Sequence, residues 1–279
     1  MEWQYHKIEE QARITRIYTI FEQNFKHNYN FAGEFHDFWE CVYVENGSIC
    51  VTADNRVLEL SAGEIIFHKP LELHKFFVTS PQGATLFTFS FSLEGTLCEK
   101  LSNKVCRLNG AQEDIMMSFI KYLKTAASQN QVVFVNQHFN YYKLLTYDSL
   151  LAQMISTYII QLIISVSDDA SDRNISTATD ATLFSKAVDY MHEHINEALS
   201  VNELAFALGV SRSGLGRIFD KYAKMGVHRY FISLKIRTAR NLLENGIGVG
   251  ETAARLGYSS QAYFSSAYKR ETGKKPSDK

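Results

Sequence analysis

Glu34, His36, Phe38 and Glu40 stand at every second position, a spacing that puts all four on one face of an extended strand. Two carboxylates and an imidazole gathered in this way can hold Fe, Mn, Ni or Zn, or can hydrogen-bond a small ligand. Trp39, Phe76, Phe87 and Phe89 add rings that could stack on a sugar or an aromatic molecule, or fill a core. No Gly-rich phosphate loop, nucleophile elbow or Cys/His zinc spacing occurs in the sequence.

Such residues need a sheet to position them. From about Phe31 to Phe91 the chain offers short runs rich in Val, Ile, Phe and Tyr: WECVYV, SICVTA, RVLEL, EIIFH, KFFVT and TLFTFSFS. Turn signals fall between them, at Glu45-Asn46-Gly47, Ala53-Asp54-Asn55, Ser61-Ala62-Gly63 and Ser80-Pro81-Gln82-Gly83, which predicts a small β-barrel or sandwich. Over residues 111–166 the apolar residues of MMSFIKYLKTAA and YYKLLTYDSLLAQMISTYIIQLIISV recur at helical spacing. Residues 167–180, SDDASDRNISTATD, are polar and aperiodic and read as a linker. Beyond them the pattern is helical to the end.

The 279 residues suffice for two domains, and charge divides them. Residues 1–180 hold 14 Lys and Arg against 21 Asp and Glu, a net of −7; residues 181–279 hold 15 against 9, a net of +6. A basic module behind an acidic one points to a polyanionic partner for the C-terminal part. Four cysteines without CxxC spacing, and polar residues after Met1, fit a reducing cytoplasm. The most apolar stretch, Leu150 to Val166, is interrupted by Gln153, Ser156, Thr157 and Gln161 and is expected to be too short and too polar to span a membrane.

The basic part contains a repeat. VNELAFALGVSRSGLGRIFDKY aligns with VGETAARLGYSSQAYFSSAYKR, pairing Val201 with Val249, Glu203 with Glu251, Ala205 with Ala253, Leu208 with Leu256 and Gly209 with Gly257. One extra residue in the second copy then pairs Ser211 with Ser260, Leu215 with Phe264 and Phe219 with Tyr268. Each copy has the parts of a helix-turn-helix: a small Ala where helices cross, a Gly for the turn, a Ser to cap the second helix, and a core-facing pair four residues apart. Gly214 and Gly216 are weak helix formers inside the first copy's second helix.

ELAFALGVS, ETAARLGYSS, the intervening helix IRTARNLL (236–243) and the closing run YKRETGKKPS (268–277) closely resemble the AraC/XylS type of transcriptional regulators. The resemblance implies an α+β two-domain protein: a cupin-like effector-binding β-barrel over 1–110, a helical dimerisation segment over 111–166, the linker, and an all-α double helix-turn-helix DNA-binding domain over 181–279. It implies two recognition helices in successive major grooves of double-stranded DNA. The family's base-reading positions carry over to Ser213, Gly216 and Arg217, and to Gln261, Ala262, Ser265 and Ser266. Arg217 suits guanine and Gln261 adenine. The family usually has larger side chains at Ser213 and Gly216, so the first unit is expected to read sequence weakly while its glycine lets the backbone approach DNA. Arg212, Lys221, Arg237, Arg240, Lys269 and Arg270 are expected at phosphates.

The arm of the same family also matches here. Gly47 follows Glu40, and Gly63 precedes His74, at cupin-like intervals. His36, Glu40 and His74 fall on three positions of a cupin metal site, with Glu34 where a fourth ligand, normally histidine, would stand. That substitution leads to the expectation of no metal and no cofactor. Glu34, His36, Phe38, Glu40 and His74 are then expected to meet a small-molecule effector. His68 is a further candidate beside a turn. The implied protein is a cytoplasmic homodimeric activator that meets RNA polymerase and no membrane; a metal-dependent cupin enzyme fused to a DNA-binding module is the alternative.

Overall fold

The computed structural model describes residues 3–129, 138–146, 149–169 and 178–278. The chain divides into two compact units: Met1–Val51 with Leu58–Ile175, and Thr52–Val57 with Ser176–Lys279. The architecture is an N-terminal sheet domain and a C-terminal helical domain.

All six apolar runs form strands: β2 (Trp39–Asn46), β3 (Ser48–Ala53), β4 (Arg56–Ser61), β5 (Glu64–His68), β6 (His74–Val78) and β7 (Ala84–Glu94). Before them lies β1 (Arg13–Phe25), a thirteen-residue strand that sequence patterning does not reveal. It pairs antiparallel with β7, with register shifts between Ile14 and Arg16 and between Ile17 and Thr19. Each bulge moves the side-chain alternation by one residue. Ile14, Ile17 and Ile20 can therefore pack on the same core at a spacing of three that imitates a helix.

Helix α1 (Leu97–Leu101), strand β8 (Val105–Arg107), helix α2 (Gly110–Gln129), strand β9 (His138–Asn140), a 3-10 turn (Tyr141–Thr146) and helix α3 (Ser149–Ser167) follow. The strands form a six-stranded sheet, β8-β5-β2-β7-β1-β9, and a three-stranded sheet, β4-β3-β6. Period-two alternation separates the faces of the large sheet. Trp39, Cys41 and Tyr43 of β2 and Phe87, Phe89 and Phe91 of β7 share a buried core with Met116, Phe119 and Leu123 of α2 and Ile155, Ile159 and Leu162 of α3. Their neighbours Glu40, Val42, Leu86 and Thr88 line a cavity instead. By length and composition α3 could cross a membrane, contrary to the expectation from sequence. Its inner residues, Leu151, Ile155, Ile159, Leu162, Ile163 and Val166, are buried in the domain core. Most of the linker expected at 167–180 lies outside the described residues.

The helical unit comprises α4 (Thr179–Glu193), α5 (Val201–Ala207), α6 (Arg212–Ala223), α7 (Val227–Glu244), α8 (Val249–Arg255) and α9 (Gln261–Thr272). Phe219 of α6 packs on Phe184 of α4 and Tyr230 of α7, ring centroids 5.1 and 5.2 Å away. Phe264 and Tyr268 of α9 pack with Ala253 and Leu256 around Ile236 and Ala239 of α7. Lys235 of α7 is the tie between the two repeats. Its ammonium donates to the carbonyls of Glu197, before α5, and Leu256, at the end of α8, at 2.7 and 2.8 Å. Burial lowers its pKa, opposed by the charge of Glu197, and the rings of Phe231 and Tyr258 lie 4.9 and 5.5 Å from it.

Both turn glycines are left-handed, Gly209 at φ 66° and Gly257 at 67°. They differ in surroundings: a Cβ at Gly209 would meet open space, whereas one at Gly257 would collide with the carbonyl of Asn196. Gly209→Ala should thus cost about 1 kcal/mol of backbone strain, and Gly257→Ala at least about twice that. Urea unfolding of the full chain and both variants measures the difference; equal costs would mean that the close approach at Asn196 contributes nothing.

Candidate functional site

The residues expected at DNA are built from the caps upward. Ser211 accepts the N–H of Gly214 at 3.0 Å and Ser260 that of Tyr263 at 3.2 Å, so each serine starts its second helix as its position implies. With Leu215 and Phe219 buried, Ser213, Gly216 and Arg217 fall on the opposite side of α6, where Ser213 and Arg217 are exposed and Gly216 half-buried. Burial of Phe264 and Tyr268 likewise leaves Gln261, Ala262 and Ser266 exposed on α9 and Ser265 half-buried. The Gln261 carboxamide lies over the first turn of α8: a Cβ added at Gly250 would stand 3.1 Å from Oε1.

The phosphate candidates separate by burial. Arg212, Lys269 and Arg270 are exposed. Arg237 is not available: it is only 4% exposed, and its guanidinium is paired with Asp54. Lys221 is tied to Asp180 at 2.5 Å and Arg240 to Glu244 at 3.1 Å. Such part-exposed pairs are weak and would yield to a phosphate. Sequence reasoning missed Tyr263, an aromatic ring 58% exposed at the third position of α9. A groove of about 620 Å³ brings it together with Arg212, Asn202 and His228. Tyr263 has no counterpart at Gly214 in the first copy, so the repeat could not flag it.

In the sheet domain, Glu34, His36 and Phe38 do not lie on a strand, which corrects the expected alternation. Glu34 instead forms an isolated antiparallel bridge to His74, each N–H donating to the other's carbonyl at 3.0 Å. The side chains nevertheless converge. Ligand atoms of Glu34, His36, Glu40 and His74 all lie within 4.8 Å of one another. His74 Nε2 stands 3.3 Å from Glu40 and 3.8 Å from Glu34, and His36 Nε2 stands 3.7 Å from Glu40. Burial alone would lower the His74 pKa, but the two carboxylates outweigh it and hold the group up at about 10. Burial pushes Glu40 upward, and the imidazoles of His36 and His74 more than reverse this, keeping its carboxyl well below the usual range. His68 stacks on His74 at 4.3 Å and bonds Glu72 at 2.7 Å. Phe38 stacks on His36 at 3.8 Å and on Tyr18 at 4.0 Å.

Glu34, Glu40, His68 and His74 line a cavity of about 310 Å³ together with Phe76 and rings from β1 and the following loop, Phe21, Phe25, Tyr29 and Phe31. Trp39, Phe87 and Phe89 face the helices, so of the strand aromatics proposed for stacking only Phe76 meets the cavity. The β1 contribution was hidden with the strand itself. The donor set fits a divalent transition metal by type, with two imidazoles and two carboxylates.

Two helix-turn-helix units with exposed second helices, on a chain with a separate cavity-bearing sheet domain, define a DNA-binding regulator with a ligand-binding domain. Comparison with known proteins agrees. Residues 204–279 match a family described as "Helix-turn-helix domain", and residues 20–105 match "AraC-like ligand binding domain". The Msm operon regulatory protein of Streptococcus mutans is 25% identical over 259 residues, 89% of this chain and 86% of that protein. The HTH-type transcriptional regulator GbdR of Pseudomonas aeruginosa is 34% identical over 92 residues, 33% of this chain and 25% of its own. The Xylose operon regulatory protein of Escherichia coli is 29% identical over 86 residues, 30% and 22% of the two chains. The chain thus spans most of the first relative and about a quarter of the other two. It belongs to the AraC family of DNA-binding transcription regulators. These relatives are regulators, not enzymes, and the enzyme alternative is set aside.

Gly216 offers a test of the DNA face. A Cβ there meets nothing within 4 Å, so Gly216→Ala should stabilise the helix by about 0.5–1 kcal/mol. If the backbone at this position approaches DNA, the same variant should bind DNA more weakly. Thermal unfolding and DNA titration together check this; a stabilised variant with unchanged affinity would remove Gly216 from the interface.

Proposed function

We propose that this regulator reads two successive major-groove segments of duplex DNA with α6 and α9, and that a small molecule in the sheet-domain cavity controls it. The observation that carries the reading is the pair of exposed recognition helices joined through buried Lys235, which favours a single rigid spacing. Arg217 and Gln261 supply base readout, Arg212, Lys269 and Arg270 contact phosphates, and the small residues Ser213, Gly216, Ala262, Ser265 and Ser266 permit close approach. The sheet domain acts as a cupin-like effector-binding barrel over 1–110, with Glu34, Glu40 and His74 at the ligand and His36 and Phe38 behind them. Residues 111–166 serve dimerisation: Met117, Leu150, Met154 and Ile164 are exposed there. The linker lies within the expected 167–180, of which Ser167 ends α3 and Thr179 and Asp180 begin α4, and the DNA-binding domain follows to 279. The active form is a cytoplasmic homodimer that activates transcription with RNA polymerase.

Arg217→Ala and Gln261→Ala should each relax base preference at one position by about 1–3 kcal/mol. Footprinting should place the two affected positions about one helical turn, or 10 base pairs, apart. Affinity of the full chain should fall steeply with salt as phosphate counterions are released. Effects of both variants on the same base pair would break the two-unit reading, and salt-independent binding would break the phosphate assignments.

For the cavity, a thermal-shift screen should begin with sugars, because one relative is named for a xylose operon, and extend to aromatic metabolites. A ligand that binds only the folded chain raises its melting temperature. If that ligand changes DNA affinity, operator DNA must change ligand affinity by the same factor. Identical ligand affinities with and without operator would show that the cavity does not set DNA affinity.

A further inference from the structure

The groove of about 620 Å³ in the helical unit lies between the two repeats, and the DNA reading uses only its rim. Its wall is apolar along Leu199, Val201, Phe231 and Ile232 and carries two cations, Lys235 and Arg212. A hollow of this size, mostly apolar with a few polar groups, suits a small organic ligand. Both repeats contribute to it, the first through the entry to α5 and the second through the turn from Gly257 to Ser259.

Charge decides which kind of ligand. Lys235 is only 5% exposed, and among the described residues its ammonium bonds two carbonyls and faces two rings but forms no ion pair. The carbonyls occupy two of its three hydrogens, and dipoles and ring faces solvate a full charge without cancelling it. Glu197, the one acidic residue in the wall, is exposed and opposes the effect of burial on Lys235 from beyond ion-pair range. Arg212 is exposed, with no ion pair among the described residues. Two cations without a paired carboxylate, beside an apolar wall, are complementary to a molecule with one anionic end and an apolar body. A DNA backbone is a poorer match, because it is polar along its length, gains nothing from Leu199, Val201 and Ile232, and finds little surface at Lys235.

We infer that the groove between the two repeats binds a small amphiphilic carboxylate, an aromatic or medium-chain aliphatic acid, whose carboxylate is drawn by Lys235 and Arg212 and whose body lies on Leu199, Val201, Phe231 and Ile232. This is a second ligand site, within the helical unit and distinct from the sheet-domain cavity. The carboxylate supplies the counter-charge that Lys235 lacks, so the ligand reinforces the tie between the repeats.

The test uses the full chain, titrated by calorimetry with naphthoate and with decanoate, each beside its uncharged amide. Saturable binding of at least one acid is expected, with its amide weaker by about tenfold or more, the factor that loss of a charge-assisted contact produces. Arg212→Glu, at an exposed position that folding tolerates, should weaken the acid by a similar factor and leave the amide nearly unchanged. That contrast separates the groove from the sheet-domain cavity, whose wall does not include Arg212. Lys235→Met removes the buried charge; should it not fold, the amides and Arg212→Glu decide. Absence of saturable binding by both acids overturns the inference, as does equal affinity for acid and amide, or unchanged acid affinity in Arg212→Glu. Saturation by inorganic phosphate without saturation by either acid would assign the groove to a DNA phosphate and overturn it as well. DNA binding measured on the same samples reports separately on the DNA-reading proposal, which stands or falls independently of this ligand.

Discussion

The helical unit depends on a buried ammonium. Lys235 leaves water to bond two backbone carbonyls, one from the loop that introduces the first helix-turn-helix and one from the end of the first helix of the second. Burying a charge is unfavourable unless it is well bonded, and here two carbonyl dipoles and two ring faces take the place of solvent. The arrangement has little tolerance. A displacement of either unit along α7 would leave the lysine or a carbonyl unsatisfied in a low-dielectric site. Gly257 strengthens the constraint, since only a residue without Cβ lets the Asn196 carbonyl come so close. The junction thereby fixes the separation of the two helix-turn-helix units.

The sheet domain solves a different problem, that of keeping a polar cluster inside an apolar fold. Its large sheet gives one face to helices α2 and α3 and the other to the cavity, and strict alternation along β2 and β7 sorts aromatic residues to the first face and Glu40 and Thr88 to the second. Glu40 can stay ionised there because two imidazoles face it. His74 is held from every side: its backbone pairs with Glu34, its Nδ1 with the Glu72 carbonyl, and its ring stacks on His68. The cluster is therefore oriented by groups outside it, as a binding site requires.

Much of this was legible from residue order because it rests on local rules. The internal repeat exposed both helix-turn-helix units, since Ser caps, turn glycines and core pairs recur at matched positions and each acts within a few residues of itself. Period-two runs identified six strands for the same reason. The exposed face of α6 and of α9 followed from which side of each helix is apolar. Strand β1 was not legible, because two bulges gave Ile14, Ile17 and Ile20 a helical spacing, and with it the cavity residues Phe21 and Phe25 were lost.

The sequence by itself determined the class of protein, through motifs whose physics is local: capped helices, tight turns and a basic module. Tertiary structure alone decided which charges are available and what the acidic and imidazole side chains do. Arg237 and Lys235 look like ordinary surface cations in an amphipathic helix, yet both are buried, because groups distant in the chain cover each of them: the Glu197 and Leu256 carbonyls meet Lys235, and Asp54 pairs with Arg237. Glu34, His36, Glu40 and His74 suggest a site by type, but their convergence arises from a single bridge between Glu34 and His74 and from imidazoles turned by backbone carbonyls. Those are long-range and orientational facts, and a linear pattern of residue types does not encode them.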